Sequence, residues 1–415
     1  MSAENSGRSI RRPRVQSGEH AQQRTVGRGT DQDLPLKVAV RRLLWQMGCS
    51  TRLDVRLRGY TVGDRGPGHQ EYTDLDVLGI GFTPAGQIHT TFADCRSSSG
   101  RVLERMFWVR GVADFVEADD AYLVRANAVP SAARTLSSRL GVGILTPDDL
   151  ASMVRVFPTE LDLESGPLAC MFDLHGVGVH LDSHSGLSRK LASLVDYLDF
   201  DYWVYEPYRN LTQVVAHLSD AAGTLNPDDR VHRTLFYDCA WHYALAIVRA
   251  LAFVRSTRMA DVPAAVRIYA AGGELALREK NQMAKLLARN GFDIDSGVVH
   301  PPYIDSLITL ITRFLVHPSE LADVLRYAEY LGVAEITRVP ETVGQAFGAS
   351  VRPVAAKLFA DICSFLVTSA GLRPEFKSAA RDRSVVDLTG GVPSDSVPPD
   401  DAQQESGDQL TIPDS

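Results

Sequence analysis

"FADCRSSSG", residues 92–100, closes an apolar, β-prone run and then breaks into serines. Asp94 and Arg96 stand two apart, so on a strand they share one face while Cys95 points to the other. Working outward, "QIHTTFADC" and the earlier "LDVLGIGFT" read as two strands joined as a hairpin through the turn residues "PAG". Asp76 begins the first of these strands and Asp94 ends the second, so the hairpin brings their carboxylates to one end of the sheet. Asp74 shares the face of Asp76 by parity and is a further candidate acid.

The flanks complete an α/β pattern. "LKVAVRRLLWQMG" puts Leu36, Val40, Leu43, Leu44 and Met47 on one helical face and stops at Gly48. "TRLDVRLRGYT" alternates Leu53, Val55 and Leu57 against Asp54, Arg56 and Arg58, as a half-buried strand does. After the serines come an amphipathic helix ("RVLERMFWVRGVADFVE"), a short strand ("AYLVRAN") and a helix ending at Gly141 ("SAARTLSSRLG"). Trp45, Phe107 and Trp108 are expected in the core.

In this order, the parts from "QMGCS" to "ARTLSSRLGVGILTPDDL" resemble the PD-(D/E)xK restriction-endonuclease-like superfamily, in its Mrr-type and Holliday-junction-resolvase-like branch. The resemblance covers residues 34–150 and rests on order and spacing, because each motif alone is short. It implies a mixed sheet flanked by helices, with Asp76 and Asp94 as ligands of Mg²⁺ and Arg96 on the scissile phosphate. Two acids and a hard divalent cation are what phosphodiester hydrolysis requires, since the metal screens the phosphate and activates water. Arg96 departs from the family's lysine. Arginine binds phosphate through a planar fork but stays protonated and cannot act as a general base. The opening helix also carries Lys37, Arg41 and Arg42 where some relatives place an acid.

Two functions follow as expectations. One is a metal-dependent endonuclease acting on DNA, in bacterial defence or repair, with catalytic residues Asp76, Asp94 and Arg96. The other is a non-cleaving relative serving as a nucleic-acid-binding or assembly module. In either case Arg41, Arg42, Arg56, Arg58 and Arg101 are the candidates for the nucleic-acid backbone, with Arg105 and Arg110 close behind.

Near residue 150 the texture changes. Residues 151–186 form a connecting segment of short apolar stretches split by Gly and Pro, and 187–376 show helical periodicity without a fixed repeat. A helical bundle is expected there, offering a docking face for a protein partner or a second copy. Within the connecting segment, "DLHGVGVHLDSHSG" gathers His175, His180, Asp182 and His184, but the spacing fits no zinc pattern and reads as a polar loop or strand pair. Residues 1–33 read as a disordered basic arm, with six arginines against two acids through residue 30. Residues 377–415 read as a disordered acidic tail.

The chain has 415 residues and a net charge of -8, which excludes a wholly basic coat but not local basic patches. Five cysteines without a CxxC pair suit reduced thiols and a cytoplasmic protein. The most apolar run, "AWHYALAIVRALAFV" (240–254), contains His242 and Arg249 and is expected as a buried helix rather than a membrane span.

Overall fold

The structure, a computed structural model, describes residues 32–385 apart from 64, 65, 84, 85, 99, 258 and 292–298. The basic arm up to 31 and the acidic tail from 386 lie outside the described residues.

Helix α1 (Leu34–Gln46) carries Pro35 in its first turn, where the fixed φ suits a helix start. Strands β1 (Ser50–Gly63), β2 (Gly66–Phe82) and β3 (Ile88–Arg96) follow as an antiparallel meander. Helix α2 (Val102–Phe115) then crosses back so that β4 (Asp120–Arg125) lies parallel to β3. Helix α3 (Ser131–Leu140) ends on Gly141, whose φ of 61° takes the left-handed turn that a side chain resists, and leads into parallel β5 (Val142–Leu145). The sheet is therefore mixed, in the order β1-β2-β3-β4-β5. β5 was not expected, because "VGIL" is four residues long and pairs only with a distant strand.

Alternation divides the sheet between two cores. Val77, Ala93, Cys95 and Val124 face Leu36, Val40, Leu43 and Leu44 of α1 and Leu150 of α4 (Pro147–Val156). Leu78, Phe92 and Leu123 face Met106, Val109 and Ala113 of α2. Gly79 lets α1 lie close on β2, since a Cβ there would sit 2.9 Å from a methyl group of Leu44. Trp45 is buried as expected, whereas Phe107 is exposed and Trp108 only half-buried.

Beyond α4 the chain is helical. The connecting segment holds α5 (Leu174–Asp182), so most of the histidine-rich stretch is helical and not the expected polar loop or strand pair, with His184 just past the helix end. Then come α6 (Arg189–Asp196), a π-type turn (Tyr197–Asp201), α7 (Tyr202–Val204), α8 (Asn210–Ala221) and the long α9 (Arg230–Thr257). The apolar run 240–254 lies within α9 and is largely buried. Helices α10 (Val262–Ala271), α11 (Glu274–Arg289), α12 (Ile304–Leu315), α13 (Leu321–Thr337), α14 (Val343–Phe347), α15 (Pro353–Ala370) and α16 (Glu375–Arg383) complete the body. α16 carries ordered helix past residue 376, where the acidic tail was expected to begin. Among the described residues only α15 is long and apolar enough to cross a membrane, and more than half of it is buried against its neighbours. All five cysteines are free thiols.

Candidate functional site

The register places three aspartates in one row. Leu53 pairs with Val77 and Val55 with Leu75, so Asp54 lies opposite Asp76. Val77 pairs with Ala93, which sets Asp94 level with Asp76 one step beyond the ladder. Two features tie this end of the sheet together. The Cys95 N–H donates to Asp76 Oδ2 at 2.8 Å, joining β3 to β2. Asp54 takes a φ of 53°, unusual for a non-glycine residue inside a strand, and its Oδ1 lies 2.6 Å from Lys37 Nζ of α1. The same ammonium lies 3.1 Å from Asp76 Oδ1.

Asp94 is held from the opposite side. Arg105 of α2 grips it with both branches of the fork, Nε to Oδ2 at 2.8 Å and Nη2 to Oδ1 at 2.5 Å. Arg96 adds a third contact at 3.2 Å. Burial pushes the Asp76 carboxyl up to about 7, against the attraction of Lys37 and with the repulsion of Asp94 added to it. Burial opposes the charge on Arg96, but Asp94 and Asp76 outweigh it and hold the guanidinium protonated.

These contacts decide how well the row suits Mg²⁺, which needs carboxylate oxygens left open to it and to its waters. Both oxygens of Asp94 accept guanidinium groups, and the two of Asp76 face Lys37 and the Cys95 amide. The residues Asp76 and Asp94 thus do not fit a magnesium ion in this arrangement. One carboxylate oxygen from each of Asp54, Asp74 and Asp76 lies within 4.8 Å of the others, a spacing that could hold a metal ion. Lys37 already brings a positive charge against two of these three.

Beside Asp94 the strand ends open into a cavity of about 470 Å³ walled by Arg96, Arg101, Arg105 and Arg125, with Trp108 and Glu104. The Arg105 guanidinium lies 3.4 Å from the centroid of the Trp108 ring, so the fork held by Asp94 is also stacked on an aromatic face. Arg101 pairs with Glu104 at 2.8 Å, and Arg96 reaches Asp33 at 3.9 Å. Arg125 differs from the rest. It is 3% exposed, donates to the carbonyls of Ser98 and Gly100 at 3.0 and 3.4 Å, and its Nε has no partner. Among the described residues no carboxylate pairs with it. Arg125 is level with Arg96 in the parallel β3–β4 ladder, so two strands end in arginine side by side. That pairing, invisible in either strand alone, is the signal that sequence reasoning missed.

Only one of the five arginines expected on a nucleic-acid backbone lines this cavity, Arg101. Arg41 is buried and donates from Nε and Nη2 to Glu329 of α13 at 3.2 and 2.8 Å. Arg58 is buried and shared between Asp196 and Asp201. Both are corrected from phosphate contacts to internal ion pairs, because each lies on a face covered by the helical body. Arg42 pairs with Glu164 at 2.6 Å, and Arg56 lies over the ring of Phe200 at 5.5 Å. Arg110 pairs with Asp114 along its own helix. Comparison with protein-family models, with curated proteins and with solved structures gave no match for this chain.

Proposed function

We propose that this chain is a restriction-endonuclease-like protein that binds nucleic acid without cutting it, using the cavity at the ends of β3 and β4 as a phosphate cradle. The mixed five-strand order supports the fold assignment. One observation carries the function: among the described residues Arg125 is buried without a carboxylate, with an unpartnered Nε, in a cavity lined by three further arginines. A buried charge without a counter-ion is costly, and a phosphate entering the cavity would relieve that cost. Lys37 and Arg105 supply the case against cleavage, since protein cations stand where a metal would.

A Mg²⁺-dependent endonuclease acting on DNA is the second reading. The close approach of Asp54, Asp74 and Asp76 favours it, and it requires Lys37 to withdraw. A single set of assays separates the two. Duplex, single-stranded and branched DNA and RNA are incubated with the protein in Mg²⁺ or Mn²⁺, and binding is measured across a salt series. We expect no cleavage, together with binding that weakens with salt at a log–log slope of about -2, for roughly two phosphates engaged. Metal-dependent cleavage that disappears in Asp94→Ala would overturn the non-cleaving reading.

A further inference from the structure

The outward side of α2 carries an apolar row. Leu103, Phe107, Gly111 and Phe115 recur every four residues, so they lie along one edge of the helix, away from Met106, Val109 and Ala113, which pack on the sheet. Phe107 and Phe115 are 59% and 63% exposed, and Leu103 is exposed as well. Tyr72 of β2, 54% exposed, sets its ring edge-on to Phe115 with centroids 6.2 Å apart, which widens the row into a patch. Between the two phenylalanines Gly111 leaves a notch: a Cβ there would meet no atom within 4 Å. Glycine weakens a helix interior, and among the described residues no neighbour packs closely enough to call for it.

Exposed apolar patches rimmed by polar residues mark interaction sites, and the shape of this one selects the partner. A ridge of residues spaced by four packs into the matching groove of another helix when the two cross at about −50°. The row has both parts, the rings as ridge and the Gly111 notch as groove, so it is complementary to itself, as a two-fold interface requires. Charge fixes the direction. Arg110 and Asp114, an ion pair along α2, border the row. An antiparallel crossing at Gly111 brings Arg110 of each copy toward Asp114 of the other, whereas a parallel crossing sets like charges together. Area fixes the strength. An aromatic side chain offers roughly 150–250 Å², so the three rings of each copy leave about 350 Å² bare. Two such patches fall well short of the ~1,600 Å² of a standard interface, which calls for a weak, concentration-dependent pair rather than an obligate one.

We propose that the row of Leu103, Phe107, Gly111 and Phe115, with Tyr72, is the contact surface for a second copy of this chain, packed as an antiparallel two-fold helix pair about Gly111. α2 also carries Arg105 and Trp108 of the arginine-lined cavity, so the pair sets two such cavities on one assembly. The dimer itself does not depend on the phosphate reading; only its consequence for binding does.

Sedimentation equilibrium of the full chain over a concentration series tests this. A monomer–dimer equilibrium with a Kd of about 10 µM is expected. Gly111→Leu fills the notch without displacing anything inside the chain, so it should raise the Kd roughly tenfold or more while Tm at low concentration holds or rises. Phe107→Ser should weaken the pair as much. Arg110→Asp and Asp114→Arg should each weaken it alone, and an equimolar mixture of the two should recover it as a heterodimer, since acidic flanks then face basic ones. Far-UV circular dichroism checks that each variant folds; if one does not, the others decide. A chain monomeric at every concentration, a dimer unmoved by both Gly111→Leu and Phe107→Ser, or a mixture no tighter than its components would overturn the proposal. None of these readouts uses nucleic acid, so they hold or fail apart from the phosphate cradle.

Discussion

Arg125 and Asp76 are both buried ionisable residues at one end of the sheet, and they answer to different partners. Among the described residues Arg125 leans on two carbonyl oxygens alone, so its charge is incompletely compensated until an anion arrives. Arg125→Met keeps most of the volume and removes the charge. It should weaken binding of a phosphorylated oligonucleotide by roughly tenfold to a hundredfold, the worth of one charge-assisted hydrogen bond, while Tm without ligand stays level or rises. Calorimetric titration and a thermal scan on the same preparation check both halves; lost stability with unchanged affinity would make Arg125 purely structural. Asp76 responds to pH. Its carboxyl ordinarily titrates near 3.8 but is pushed up to about 7 by burial. Between these values the folded chain holds a proton that the unfolded chain has released, so this group's contribution to stability falls as pH rises through that window. Asp76→Asn removes the dependence. Its Tm relative to wild type should climb between pH 4.5 and 8, and a constant difference across that range would show that Asp76 titrates normally.

Element by element, what could be read from the sequence was what period and parity encode. The spacing of Leu36, Val40, Leu43 and Leu44 located α1, and the alternation of Leu53, Val55 and Leu57 located β1. The placing of Asp76 beside Asp94 followed from the hairpin alone. What escaped was every partner supplied from far along the chain. Arg41 on the exposed-looking face of α1 reads as a surface cation, yet its partner Glu329 lies 288 residues away on α13. Glu329 also accepts from Trp45 Nε1 at 3.1 Å, Ser50 Oγ at 2.7 Å, the Thr51 amide at 2.8 Å and the Thr51 hydroxyl. Both carboxylate oxygens are thus saturated, and α13 is fastened to α1 and β1 together. Glu329→Gln strips the counter-charge from buried Arg41 and turns an acceptor into a donor facing other donors. A loss of about 3 kcal/mol or more in urea unfolding is expected. Glu164→Gln, which breaks the pair of exposed Glu164 with Arg42, should cost less than about 1 kcal/mol. Similar costs for the two would mean that the Glu329 hub does not anchor α13.

At the scale of the whole molecule, the change of texture near residue 150 marks a change of secondary structure and not a seam in the packing. The described residues from Asp33 onward form one compact unit. Charged and polar links cross from α1 and the sheet to the helical body at several points: Arg41 to Glu329, Arg52 to Asp238, Arg58 to Asp196 and Asp201. The Trp241 indole donates to Ser50 Oγ at 2.8 Å, and Arg255 donates to the Gly86 carbonyl at 3.1 Å. Beneath them, Phe92 and Leu123 of the sheet belong to the same apolar cluster as Leu245 and Tyr330 of the helices. Separating the two parts would expose that shared core and leave Arg41, Arg52 and Arg58 without their carboxylates, a combined cost that a sheet of five strands cannot absorb. Unfolding should therefore be a single transition, with the far-UV signal of the helices and the tryptophan fluorescence moving together in urea. A fragment of residues 34–156 should not fold cooperatively on its own. Two resolved transitions, or a fragment with a sharp melt, would show that the helical body only rests on the sheet. A single transition also bears on ligand binding: a phosphate bound at Arg125 would then stabilise the helices as well as the sheet, and raise one shared Tm.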